Sequence, residues 1–154
     1  PDDDINKKLI SLIDQEQSYI RIAVFNFTNR TIAQALIDAA KRGVKVEVIT
    51  DITCIFDRYN KIDQLYDNDI AVLIFDAKKN KTRGIMHHKF ALFSNNKGGT
   101  TYVWTGSCNF TRSGCQINQE NGLLLADQTI INKFLQQFER IKKQTYGYKP
   151  FIQK

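Results

Sequence analysis

Between Tyr19 and Thr50 the chain carries a strand pattern, a helix pattern and a second strand pattern in immediate succession, and nothing else in it constrains the fold as much. Tyr19 to Phe27 (YIRIAVFNF) is rich in β-branched and aromatic residues, the composition of a strand. Thr28-Asn29 then offers helix-capping oxygens ahead of Ile32, Ala35, Leu36, Ala39 and Ala40, and Gly43 stops that helix. Val44 to Thr50 (VKVEVIT) alternates cleanly and leads to Asp51. Residues 19–50 are therefore predicted to form a βαβ unit, part of a sheet with helices on its faces.

The flanking segments extend this pattern. Ile5, Leu9, Leu12 and Ile13 predict an amphipathic helix of about four turns ending near Gln17. Tyr59 to Asp67 reads as a helix and Ile70 to Phe75 as a strand. His88 to Phe93 and Thr101 to Thr105 read as strands joined by the turn Asn95-Asn96-Lys97-Gly98-Gly99, and Gly122 to Ala126 as a further short strand. A last helix is predicted from its N-cap Asp127, burying Ile130, Phe134, Phe138 and Ile141. With no internal repeat and no linker, residues 1–154 are expected to form a single α/β domain, a mixed β-sheet sandwiched between helical layers.

At 42% apolar and 25% charged residues the composition excludes a disordered chain. No apolar run approaches the roughly 18 residues of a membrane span. The opening Pro1-Asp2-Asp3-Asp4 is the opposite of a basic, apolar signal peptide, and the absence of an initial Met points to a processed product, with a slight lean towards export or the periplasm. The cysteines, Cys54, Cys108 and Cys115, form no Cys-x-x-Cys pair; one bridge remains open to them, and metal ligation is not expected.

Chemistry concentrates at three places. His87 and His88 are the only histidines, and in an extended segment His87 and Lys89 share a face while His88 points with Phe90 and Leu92 to the apolar side. An imidazole, with an unperturbed pKa of about 6.5, can attack phosphorus or pass protons near neutrality, and an ammonium neutralises phosphoryl oxygens. Gly106-Ser107-Cys108-Asn109 brings a hydroxyl and a carboxamide into one turn, neutral donors suited to an oxyanion. Glu120 follows at the entry to a strand, where a carboxylate could fix an imidazole tautomer. Taken singly, each pattern also fits an ordinary surface pair, turn or solvated charge.

Taken together and in this order, His87-x-Lys89, Gly106-Ser107-x-Asn109 and Glu120 resemble the signature of the phospholipase D superfamily. The segment Ala39 to Val46 followed by Asp51 is similar to the helix-to-strand passage of its small single-motif members, so the likeness covers most of residues 19–126. His87 to Phe90 and Thr105 to Asn109 look like the matching strings of bacterial single-motif endonucleases and of the mitochondrial cardiolipin hydrolase/nuclease branch. The resemblance implies a phospholipase D-like fold and metal-independent phosphodiester hydrolysis with no cofactor. One departure stands out: the family pattern carries an acidic residue five positions after the lysine, where this chain has Ser94.

The family mechanism implied by the resemblance uses two histidines, one to form a phosphohistidine and one to protonate the leaving oxygen and later activate water. The chain supplies only His87 for this, since His88 faces away, so a homodimer sharing one active site across a two-fold axis is expected. Lys89 and Asn109 would grip the phosphoryl oxygens, Ser107 would support their turn, and Glu120 would accept a hydrogen bond from the imidazole. Lys78, Lys79, Lys81 and Arg83 would form a basic rim suited to a polyanion, in keeping with the net charge of +6, so nucleic acid, DNA or RNA, is the expected substrate. Two alternatives stay open. One is hydrolysis of an anionic phospholipid such as cardiolipin, with Tyr146, Tyr148, Phe151 and Ile152 beside Lys149 entering a membrane interface; the other is a catalytically silent nucleic-acid-binding module, motivated by Ser94.

Overall fold

The computed structural model describes residues 4–150. Its centre is one seven-stranded mixed sheet of order β6-β5-β4-β1-β2-β3-β7. The strands β1 (Tyr19–Val24), β2 (Lys45–Asp51) and β3 (Ala71–Phe75) run parallel, and β4 (Lys89–Asn96), β5 (Thr100–Gly106), β6 (Gly122–Leu125) and β7 (Thr145–Gly147) join them antiparallel. The expected mixed sheet between helical layers is present.

Strand alternation divides the core between the two faces. Ile20, Ile22, Val46 and Val48 pack with Leu9, Leu12 and Ile13 of α1 (Ile5–Gln15) and with Ile32 and Leu36 of α2 (Arg30–Lys41). Ala23, Ile49, Phe90 and Leu92 point to the other face, against Ile131, Phe138 and Ile141 of α6 (Gln128–Lys142). Asn29 caps α2 as expected, its Oδ1 accepting the Thr31 and Ile32 N–H groups. Gly43, at φ +93°, turns the chain from α2 into β2 in a conformation that favours glycine.

Several boundaries differ from expectation for identifiable reasons. Helix α1 stops at Gln15, because the buried Glu16 carboxylate accepts the N–H groups of Ser18, Tyr19 and Asn95 and pulls the chain out of the helix. The helix expected over residues 59–67 is present but shorter, α4 (Ile62–Tyr66), because the Asn60 side chain takes the Ile62 N–H and delays its start; a further short helix, α3 (Ile52–Ile55), which the sequence reading did not include, precedes it under an Asp51 cap. In α6 the buried position is Ile131, fully enclosed, and not Ile130, which is 36% exposed. Ile131 and Phe138 lie two turns apart on the face that meets the sheet.

Strand β7 was not legible in the sequence. It pairs with β3, and the following Tyr148 is buried, its hydroxyl donating to Asp63. Tyr146 and Tyr148 therefore close the sheet edge and do not form a membrane-entering tail; Phe151 and Ile152 lie outside the described residues. Among the described residues no helix is long and apolar enough to cross a membrane.

Candidate active site

The chemistry-bearing residues gather where β1, β2 and β5 end and β4 begins. Lys89, the first residue of β4, pairs with Val24 at the end of β1, and Phe90 pairs with Thr105 beside the end of β5. The segment before Lys89 is clamped on both sides of His87. Asp51, buried at the end of β2, accepts the Met86 N–H through Oδ2 at 2.9 Å, while its Oδ1 caps α3 by accepting the Thr53 N–H and hydroxyl at 3.0 and 2.9 Å. On the other side the Phe25 N–H donates to the His88 carbonyl at 2.9 Å. The strand β1 itself ends at Val24, three residues short of the expected Phe27, whose remaining pairing is an isolated bridge to Phe110.

Between these clamps the His87 ring is exposed and lies against Phe25, ring centroids 4.7 Å apart. The Lys89 ammonium donates to the His87 carbonyl at 2.9 Å and stands 5.4 Å from the centre of the same Phe25 ring. His87 and Lys89 thus share a side, as the alternation predicts. His88 points the other way, its Nε2 2.9 Å from the Gln137 amide nitrogen and its ring against Phe90. Burial, reinforced by Arg140, Lys89 and His87, holds the His88 imidazole below its ordinary pKa.

The turn after β5 depends on a close backbone approach. A Cβ on Gly106 would stand 2.1 Å from the Asn121 carbonyl oxygen, so only glycine lets the entry to β6 lie against the turn. Ser107 is then held at both ends: its N–H donates to the Asn121 carbonyl at 3.2 Å, and its Oγ accepts the Asn121 N–H at 3.0 Å while donating to the Glu120 carboxylate. The other Glu120 oxygen accepts from Asn118 at 3.4 Å. Among the described residues the Glu120 carboxylate is thus engaged by Ser107 and Asn118, where the sequence reading expected the imidazole. Glu120 also acts on Lys89, whose pKa is lowered by burial and supported in the opposite direction by the nearby carboxylate. The Asn109 amide oxygen is buried with no hydrogen-bond partner, a costly state for a polar atom.

The remaining candidates lie apart. Lys78, Lys79, Lys81 and Arg83 are exposed on the loop that leads into His87. Asp76 shapes this loop by accepting the N–H groups of Lys78 and Lys79, and the Lys79 ammonium sits 3.5 Å from the centre of the Tyr146 ring. Ser94 is five residues along β4 from Lys89, about 16 Å at strand rise. Its Oγ accepts from Arg21 at 3.2 Å, and Arg21 also stacks on Tyr19 and approaches Glu139. The family's acidic position thus falls beside a half-buried arginine, remote from His87. Sequence reasoning missed the role of Asp51, and no local pattern marks its reach to Met86.

A sequence profile of the family described as "Cardiolipin synthase, PLD-like domain" matches residues 9–142. The chain belongs to this phospholipase D-like family. A mitochondrial cardiolipin hydrolase of Xenopus tropicalis is 34% identical over 134 residues, 87% of this chain, and the chain spans 59% of that relative's length. Among solved structures, NucT from Helicobacter pylori superposes with a TM-score of 0.82 at 27% identity, covering 94% of this chain and 91% of NucT. Nuc from Salmonella typhimurium, a phospholipase D family member, gives 0.79 at 26% identity, with 94% and 90% coverage. The profile spans β1 to β6 and the two superpositions each cover 94% of the chain, so membership rests on sequence and on fold together.

Proposed function

We propose that the chain is a phosphodiesterase that works through a phosphohistidine at a homodimeric site, with nucleic acid as its substrate. The observation that carries this reading is the single cluster in which an exposed, backbone-clamped His87 lies beside Lys89, near the turn fixed by Ser107 and Glu120. In the first step an imidazole nitrogen of His87 attacks phosphorus, the bond to the leaving oxygen breaks, and His87 of the partner subunit protonates that oxygen. In the second, the partner's His87 takes a proton from water, which attacks phosphorus and frees the imidazole. Lys89 neutralises the phosphoryl oxygens, and Asn109, whose amide lacks a partner for its oxygen, joins it by turning its NH2 outward. Glu120 fixes the Ser107 turn and supports the charge on Lys89. Ammonium and amide groups supply the charge stabilisation in this scheme, so it requires no divalent cation.

The dimer has support beyond the histidine count. Exposed apolar side chains surround the cluster: Ile85 two residues before His87, Phe56 in a cleft shared with Phe25, and Ile117 and Leu123 three residues either side of Glu120. Large exposed apolar side chains close to the cluster favour association, and a two-fold contact there would set two His87 side chains together. The basic loop beside the cluster favours a polyanionic backbone over a lone headgroup and gives no means of reading bases, so cleavage is expected to be weakly sequence-dependent. Lipid hydrolysis is the second reading, favoured by those same exposed apolar groups. A silent binding module loses its motive, because Ser94 lies far from His87.

The test is incubation with labelled single-stranded DNA, RNA and cardiolipin vesicles, each with chelator, beside His87→Ala. Chelator-resistant cleavage of nucleic acid that weakens steeply with salt and vanishes in the variant supports the reading. Phosphatidic acid release without nucleic-acid cleavage selects the lipid alternative, and tight binding without turnover selects the silent module.

A further inference from the structure

Two thiols flank the proposed phosphate-binding turn and have no part in the reaction above. Cys108 lies between Ser107 and Asn109, and Cys115 lies in α5 (Arg112–Gln116). Their sulfurs are 3.2 Å apart, with 1% and 4% of the two residues exposed. Since a disulfide is about 2.05 Å long, a closing movement of about 1.2 Å separates this pair from a bond.

Both sulfurs also lie within reach of one backbone atom. The Asn109 carbonyl oxygen is 3.0 Å from Cys108 Sγ and 3.4 Å from Cys115 Sγ, and it accepts the Thr111 N–H at 2.8 Å. Gly114 brings α5 so near that a Cβ there would stand 2.6 Å from the same oxygen. The dithiol is therefore packed around the main chain of the residue assigned to the phosphoryl oxygens. Cys54, the third cysteine, is separate, its Sγ accepting the Phe27 N–H at 3.3 Å.

We propose that Cys108 and Cys115 are a modification site, closing to a reversible disulfide when exposed to a peroxide, and that the bond lowers turnover by displacing Asn109. The second half rests on the phosphodiesterase reading; the first does not. The Cys115 thiolate attacks one peroxide oxygen, the O–O bond breaks, and the other oxygen leaves as hydroxide, which takes a proton to become water. Cys108 sulfur then attacks the Cys115 sulfenic acid, the S–O bond breaks, and the hydroxyl departs as water with the Cys108 proton. Two thiols lose two electrons, and the peroxide is reduced to two waters.

The order of attack follows from the contact between the sulfurs. Their hydrogen bond holds Cys115 below its ordinary thiol pKa, and the same bond, with burial, pushes Cys108 well above. Oxidation takes both S–H groups away from the Asn109 carbonyl and draws α5 towards the turn. A displacement of about 1 Å at a positioning group can cost on the order of a hundredfold in rate, so a fall of about tenfold or more is expected.

The experiment treats the intact protein with hydrogen peroxide and reads three quantities: peptide mapping without reductant, turnover before and after dithiothreitol, and the Asn109 side-chain amide resonances. Cys115→Ser is the control. The expected result is a Cys108–Cys115 disulfide with Cys54 still a thiol, a reversible loss of turnover, shifted Asn109 resonances, and no effect of peroxide on turnover in Cys115→Ser. Persistence of both thiols in the folded protein, or their conversion to sulfinic acid without a bond, overturns the site. A disulfide that leaves the Asn109 resonances unmoved overturns the coupling, and this readout holds even if no substrate is turned over.

Discussion

Asp51 shows how one carboxylate can position a histidine that lies 36 residues further along the chain. Its two oxygens join the start of α3 to the Met86 N–H, so the backbone entering His87 is fixed by a group on another strand. Asp51→Ala leaves that buried N–H unpaired, at a cost of about 1–3 kcal/mol. Turnover is expected to fall more than tenfold while His87 stays in place chemically; equal loss of stability with unchanged kcat contradicts the positioning role. Ser94 makes the complementary case. Ser94→Asp gives Arg21 a carboxylate and is expected to raise stability by up to about 1 kcal/mol with turnover unchanged, measured by urea unfolding and initial rates. His88 carries a pH dependence. Burial lowers its folded pKa, so below about 6.5 the unfolded chain takes up a proton that the folded one resists, and stability present at higher pH is lost as pH falls through that window towards the folded value. Urea midpoints at pH 7.5 and 5.5 should converge in His88→Gln relative to the parent; an unchanged difference contradicts the assignment.

At the scale of elements, the site is made by strand ends more than by helices. Strand β4 begins between β1 and β5, and the Phe25–His88 bond beyond the end of β1, the Gly106 approach and the entry to β6 together define the cluster. Gly106→Ala is the sharpest probe of this arrangement, because the added methyl meets backbone at 2.1 Å and the β5–β6 contact must open. Overpacking of this kind costs about 1–3 kcal/mol. Activity is expected to fall further than stability explains, since Ser107 and Glu120 part company; full activity in a folded Gly106→Ala protein counts against the role of that turn. The short elements explain where sequence reading faltered. Helices α3 and α4 and strand β7 are three to five residues long, held by side-chain caps and by pairing with β3, interactions that carry no periodicity.

For the whole molecule, the βαβ unit was legible because its apolar spacing is fixed by the two faces of a buried sheet, and the mixed sheet followed from it. The shared side of His87 and Lys89 was legible from strand alternation alone. The Asp51 clamp, the engagement of Glu120 with Ser107, and Ile131 in place of Ile130 were not, since each depends on which elements meet in space. The second histidine of the proposed reaction belongs to the same scale: each chain offers His87 alone to the cluster, and that reaction needs two. The decisive measurement is rapid mixing of the protein with a substrate labelled at phosphorus, an alkaline quench that preserves phosphohistidine, and peptide mass analysis. The expected result is a phosphoryl adduct on His87 that rises before product and is absent from His87→Ala; product accumulating from the first turnover with no adduct at any time contradicts it.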